Sequence, residues 1–407
     1  MKLDERRETK DERVCHERSE GSKTILSEVC EFIVDCPHST ANDEGIGFPL
    51  VRTPNVGKGR LVYNDMHRVS EDVYNQRNFR AVPQEDDLIF AREAPAGNVA
   101  LIRKGEKVCL GQRTVLLRPN KQKVDPSFLT YYLLAPKQQY GLTGTANGAT
   151  VAHVNMPTIR NLAIELPDIK VQRKLGGILS AYDNLIENNQ KQIKLLEEAA
   201  QRLYKQWFID LRYPGHETTK IVNGLPEGWR KEKLVDLASV QFGYAFDGSL
   251  FNSNGNGTPI VRIRNIPDGF TNDYTTENAP EEYIINNGDI VVGMDGEFHI
   301  NSWCGDKSYL VQRSCCFRPH NPKIKGWLLW AIHDPIKFFE KTVVGATVAH
   351  LGKKHIDTIE LLTGPEKLYK PFQSLFCKRQ TLLNQNRKLS ESRDRLLPKL
   401  MNGELEV

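Results

Sequence analysis

Two arginine–asparagine pairs stand at matching places after apolar runs: Arg52 and Asn55 in PLVRTPNV, Arg262 and Asn265 in PIVRIRNI. A guanidinium forks onto guanine O6 and N7, and an asparagine amide pairs with adenine N6 and N7. Each pair is therefore either a polar row facing a nucleic-acid groove or a loop tie made of internal hydrogen bonds. Recurrence of the same residues favours frame or phosphate contact, because residues that read different sequences should differ. Arg113 and Arg313, each preceded by glutamine and followed by a strand, read the same way. Polar loop residues found in one half alone are better candidates for base reading: Lys58, Arg60 and Arg92 in the first half, and Arg264, Asn252 and Asn254 in the second. His153 and His350 are expected to satisfy local hydrogen bonds, and Thr150 and Thr347 to touch a phosphate.

Catalytic motifs are not found beside these candidates. An adenine methyltransferase needs a [DNS]-P-P-[YF] turn to clamp a flipped base, and the nearest string, DPSF at 125–128, lacks the second proline. NVGKGR at 55–60 has Gly57 and Gly59 but not the G-x-x-x-x-G-K-[ST] spacing of a phosphate loop. PDIK at 167–170 resembles a nuclease carboxylate cluster only superficially; Asp168 is more simply a helix N-cap. The eight cysteines form no C-x-x-C pair, and the ten histidines no H-E-x-x-H, so no metal site and no disulfide framework is expected. Adjacent Cys315 and Cys316 should point to opposite faces of a strand.

The elements that must position these residues occur twice. GATVAH stands at 148–153 and again at 345–350, an offset of 197. GQRTVLLRP at 111–119 matches VQRSCCFRP at 311–319, and DDLIFAR at 86–92 matches GDIVVGM at 288–294. LSEV at 26–29 matches LVDL at 234–237. These matches are collinear, with drift explained by small loop insertions. The first part of each repeat has strand character, with apolar runs bounded by Gly, Asn, Asp and Pro. A helical pattern at 126–141 in the first copy has its counterpart at 325–341 in the second.

The second part of each repeat is a long amphipathic helix. In the first, Leu179, Ile186, Asn189, Ile193 and Leu196 fall on a heptad seam, in a helix expected from about Asp168 to Trp207. In the second, Leu382, Leu389 and Leu396 recur every seven residues with Asn386 between them, and Pro398 should end or bend the helix near Leu397. A buried seam asparagine costs stability but fixes register, because it must find a polar partner. Asn189 and Asn386 are read in that role.

The expected architecture is α+β: two mixed α/β domains in tandem repeat, separated by two long helices packed as an antiparallel coiled coil with pseudo-two-fold symmetry. The boundaries are a charged tail at 1–23, a first domain at 24–147, a first helical spacer at 148–215, a second domain at 216–344 and a second spacer at 345–407. With 407 residues, 26% of them charged, and a mean hydropathy of −0.48, the chain has no run approaching the ~20 apolar residues that span a bilayer. It also has no apolar leader. A cytoplasmic protein is expected. The net charge of +4 is unevenly spread, with 13 Lys and Arg against 16 Asp and Glu at 216–344, and 11 against 7 at 345–407. Any binding to a polyanion must therefore rest on cations gathered on one face. A helix over 174–207 is roughly 51 Å long at ~1.5 Å per residue, enough to hold two reading domains about one and a half turns of B-DNA apart.

The order of parts resembles the specificity subunits of type I restriction–modification systems, over about residues 24–407. The resemblance is carried most specifically by LSAYDNLIENNQKQIKLLEE and LLPKLMNGEL in the helices, and by WRKEKLVDLASVQFGYAFDGSLF at 229–251. It implies two target-recognition domains binding double-stranded DNA at a split, asymmetric site, and no catalysis by the chain itself. It implies helices that dock two methyltransferase (modification) subunits, with motor-nuclease (restriction) subunits added to complete the complex. It further implies no cofactor held by this chain, since S-adenosylmethionine and ATP/Mg serve the partner subunits. Two other readings stand beside it: a self-sufficient DNA methyltransferase or nuclease, and a duplicated coiled-coil scaffold without DNA binding.

Overall fold

The apolar runs LIFA and TVLLRP form the centre of a four-stranded antiparallel sheet. Thr114–Pro119 lies between Cys30–Asp35 and Leu88–Ala91, with Val99–Leu101 on the far edge. The structure is a computed structural model that describes residues 22–144, 153–342, 349–405 and 407. Both faces of this sheet are covered, which explains why its strands read as continuous apolar runs. Leu88, Phe90, Val115 and Leu117 enter a core shared with Phe128 and Leu129, whereas Ile89, Ala91 and Leu116 enter a second core on the other face. A smaller sheet joins Phe48–Val51 to Arg68–Val69 antiparallel and to Cys109–Leu110 parallel.

The second copy repeats the plan. Ser314–Pro319 lies between Ala238–Phe242 and Ile290–Gly293, with Ile300–Ser302 outermost. The parallel pairing recurs too: Leu50↔Cys109 and Val51↔Leu110 in the first copy, Ile260↔Tyr309 and Val261↔Leu310 in the second. Cys315 and Cys316 enter different cores on the two faces of one strand, as their adjacency requires. Burial pushes the Cys316 thiol up to about 12 and the Cys304 thiol up to about 11.

Three expectations about elements change. Each helical pattern is two short helices, Pro126–Leu134 with Pro136–Thr143, and Lys325–Ala331 with His333–Thr342. Pro136 forces extended backbone on Ala135, which ends the first helix. A strand precedes each long helix, Ala163–Leu166 paired with Ser22–Ile25 and Glu360–Thr363 paired with Arg230–Lys233. Ser22 and Lys23, read as tail, are therefore part of the fold. Pro398 does not end the last helix, which runs Lys370–Met401. Pro398 removes one intrahelical hydrogen bond, and burial of Leu400 holds the final turn despite that loss.

The first long helix runs Ile169–Tyr204 and continues as a π turn, Lys205–Ile209. Asp168 caps it, accepting from the Lys170 amide at 2.8 Å. The chain divides into two compact units, residues 1–183 with 393–407, and residues 184–392, so each long helix contributes to both. In the second unit the helices run antiparallel: Arg379 meets Glu197 at 2.7 Å, and Asn386 donates to the Ile186 carbonyl at 3.3 Å. In the first unit Arg393 meets Asp183 at 2.6 Å.

The seam is only partly dry. Leu179, Asn189 and Ile193 are buried, but Ile186, Leu196, Leu382, Asn386, Leu389 and Leu396 are half-buried. Asn386 takes a backbone carbonyl as its partner. The structure offers no hydrogen bond between Asn386 and Asn189.

Candidate nucleic-acid interface

The repeated Arg–Asn pairs cap 3-10 turns. Asn55 Oδ1 accepts from the Arg52 amide at 3.2 Å, and Asn265 Oδ1 accepts from the Arg262 amide at 2.9 Å. Asn55 is 1% exposed and spends its amide hydrogens on the Val62 and Asn64 carbonyls. Asn265 donates to Asp273 at 3.2 Å. The base-reading alternative therefore fails for Asn55, whose hydrogen-bonding capacity is used inside the loop, and Asn265 keeps the same frame role. Arg52 donates to the Asp65 carbonyl at 2.7 Å, and Arg262 stacks over the Phe251 ring at 5.5 Å from its centroid.

Two of the single-copy cations also face inward. Arg92 donates to the Val154 carbonyl at 2.9 Å and to Asp35 at 2.8 Å, and its side chain is 11% exposed. It stitches the segment after the sheet to the segment entering the spacer. Arg60 places Nε 3.6 Å from Asp183 on the first long helix. The NVGKGR loop thus packs toward that helix: a Cβ on Gly59, whose φ is +89°, would sit 3.0 Å from the Asp183 carboxylate. Lys58 is exposed at the tip of this loop. Arg264 is exposed while forking onto Asp273. Burial raises the Asp273 carboxyl, but bonds from Arg264 and Asn265 outweigh it and hold it below its usual range. Asn252 folds its own loop, accepting from the Asn254 and Asn256 amides.

Arg113 and Arg313 are each the outer member of a three-residue cluster. Arg113 pairs with Glu93, whose other oxygen lies 2.5 Å from His153 Nδ1. Arg313 pairs with Asp295, whose other oxygen lies 2.5 Å from His350 Nδ1. The backbone around the two clusters matches as well. Arg92 N donates to Arg113 O and Val154 N to Arg92 O, as Met294 N donates to Arg313 O and Leu351 N to Met294 O. The acids are mostly shielded, at 13% and 14% side-chain exposure, while the arginines are 56% and 63% exposed. Both arginines hold left-handed backbone, φ 64° and 69°. The expected local hydrogen bond of each histidine is thus present, to a carboxylate that sequence inspection did not single out. Thr150 and Thr347 lie outside the described residues.

A model of the type I restriction modification DNA specificity domain matches residues 23–198 and again 226–365. The chain belongs to that family. The MjaIX specificity subunit of Methanocaldococcus jannaschii is 26% identical over 362 residues, covering 83% of this chain and 82% of that protein. The putative MjaX specificity subunit of the same organism is 24% identical over 396 residues, covering 93% and 91%. Among solved structures, the type I restriction–modification S subunit from M. genitalium has the same fold. Its TM-score is 0.55 at 14% identity, over 94% of this chain and 96% of that one.

Within this family frame, each of the two matched segments contains one copy of the four-stranded sheet. A further repeated pair, missed in the sequence, bolts each sheet: Arg118 forks onto Asp87 at 2.7 and 2.8 Å, and Arg318 meets Asp289 at 3.0 Å. The signal was available, since DDLIFAR aligns with GDIVVGM at Asp87 and Asp289. Among the described residues, no group of three or more His, Cys, Asp or Glu side chains is placed to hold a metal. Nor, among them, is any helix long and apolar enough to cross a membrane.

Proposed function

We propose that this chain is the sequence-specificity subunit of a type I restriction–modification complex. It binds double-stranded DNA through its two mixed α/β domains, 24–147 and 216–344, each reading one part of a bipartite asymmetric site. It recruits two methyltransferase subunits and the motor-nuclease subunits, performs no catalysis itself, and leaves S-adenosylmethionine and ATP/Mg to those partners. The complex works in the cytoplasm. Lys58, exposed in the NVGKGR loop, and Arg264, exposed on the capped turn where the first copy has Pro54, are the residues we assign to sequence reading.

One observation carries the reading. The two copies share the strand order of their four-stranded sheets and the parallel pairing beside them, yet differ in their exposed loops, as a protein must when one frame reads two different sequences. Family membership over both copies supports it, and the matched relatives are themselves named specificity subunits. Mapping methylated bases in host DNA with the gene present and deleted tests it. Methylation at two short clusters flanking an indifferent spacer should vanish with the gene. Methyl transfer by the isolated chain supplied with S-adenosylmethionine would instead establish a self-sufficient enzyme.

A further inference from the structure

We propose that the duplicated histidine–carboxylate–arginine clusters, Arg113/Glu93/His153 and Arg313/Asp295/His350, are phosphate clasps that grip the DNA backbone once in each domain. The inference rests on the DNA-binding reading above, and names the contacts that position each domain without reading sequence.

Three observations converge on it. The first is backbone conformation. At φ near +65° a side-chain-bearing residue is strained, whereas glycine adopts the same backbone freely. Both copies nevertheless place an arginine there, so the side chain is retained against a local preference at two equivalent positions. A turn that served only to lead into the following strand would be better built with glycine.

The second is the orientation of charge. Each carboxylate is shielded and faces the histidine and one guanidinium nitrogen, Nη1. Each guanidinium remains more than half exposed. The acid thus fixes the direction of the cation from behind, the arrangement that presents a planar fork to a phosphate. An exposed ion pair of this kind adds little to stability by itself.

The third is recurrence. Residues that read bases must differ between domains addressing different sequences, but a grip on phosphate carries no sequence information and can be the same in both. The clusters recur, with the flanking backbone bonds intact, in segments that are themselves repeated.

The test uses the full chain and a pool of random-sequence duplexes, with affinity measured from low to moderate salt. In the Arg113→Gly/Arg313→Gly variant the thermal midpoint should hold or rise. The slope of log affinity against log salt should become shallower by about two, at ~0.9 per lost phosphate contact. Affinity should fall equally for all sequences. Arg113→Lys/Arg313→Lys, which keeps the charge, should retain most of the slope. An unchanged slope in the glycine variant would overturn the clasp, as would a loss confined to particular sequences. If the unmodified chain shows no salt-dependent duplex binding at all, the DNA-binding reading falls together with the clasp.

Discussion

The two copies lock their long helices to their domains with different chemistry. In the first unit the lock is an acid: Asp183, 2% exposed, accepts from the Tyr131 hydroxyl at 2.6 Å and from Arg393 at 2.6 Å, with Arg60 nearby. In the second it is a base: Arg379, 7% exposed, donates to Glu197, Ser302 and Asn301, each at 2.7 Å. Small residues have changed sides as well. In the first unit the close approach is at Gly176 on the long helix, against the Phe128 amide. In the second it is at Gly326 on the domain, against the Phe372 carbonyl. The Asp87–Arg118 and Asp289–Arg318 bolts, by contrast, pair the same residue types at matching places in both. Strand order and the bolts are tied to backbone pairing, where a slip turns side chains to the wrong face, whereas a helix–domain contact needs only a filled and neutralised interface.

That contrast can be broken in graded ways. Arg379→Ala leaves Glu197, Asn301 and Ser302 without their buried partner and should cost about 3–5 kcal/mol. Asp183→Ala should destabilise the first unit less, because Tyr131 loses its carboxylate but Arg393 keeps Asp394. Urea unfolding checks both, and equal midpoints for Arg379→Ala and the unmodified chain would refute the lock. Next in size, Leu382→Asp with Leu389→Asp puts two charges into the half-buried seam of the second unit. It should cost about 2–3 kcal/mol and abolish methylation by the assembled complex, read in a methyl-transfer assay. Unchanged activity there would count against the seam.

The glycines sharpen the comparison further. A Cβ on Gly176 would sit 2.6 Å from the Phe128 nitrogen, whereas one on Gly177 meets nothing within 4 Å. Gly176→Ala should therefore destabilise by about 1–3 kcal/mol, while Gly177→Ala gains up to ~1 kcal/mol from helix propensity. Opposite signs in thermal melts of these adjacent variants would establish the close approach, and matching signs would exclude it.

The smallest effect concerns Asp295. Burial raises its carboxyl, but hydrogen bonds from His350 and Arg313 outweigh burial and hold it below its usual range. A carboxyl lowered by folding contributes stability that is present above its unfolded value, about 3.9, and is lost as pH falls through the folded value. Asp295→Asn should lower the melting temperature slightly near neutrality, where the charged carboxylate contributes, and flatten the acid limb of the profile, so that the gap to the unmodified chain closes as pH falls below about 4.

Much of this was legible in the residues. The strands announced themselves as apolar runs because both sheet faces are covered, and the helices as a heptad because one stripe is buried. The Arg–Asn repeats read as either a groove-facing row or a loop tie, and the structure bonds Asn55 and Asn265 inside their own turns. Arg60 and Arg92 were misjudged as base readers, because their partners, Asp183 and Asp35, stand 123 and 57 residues away in the chain. A loop cation's sequence neighbours say nothing about an acid brought to it by folding. Asp183 was not singled out in the sequence, since nothing local distinguishes a solvated aspartate from one buried under a tyrosine and two arginines.

The amino-acid sequence alone determined the duplication, the alternation of strand-rich and helical parts, and the positions of the long amphipathic rods. Those follow from local periodicity and from self-similarity, both visible in one dimension. Tertiary structure alone decided which cations are consumed inside the fold and which remain open to a partner. A guanidinium's availability depends on whether a carboxylate reaches it across the sheet, and that distance exists only once the chain has folded.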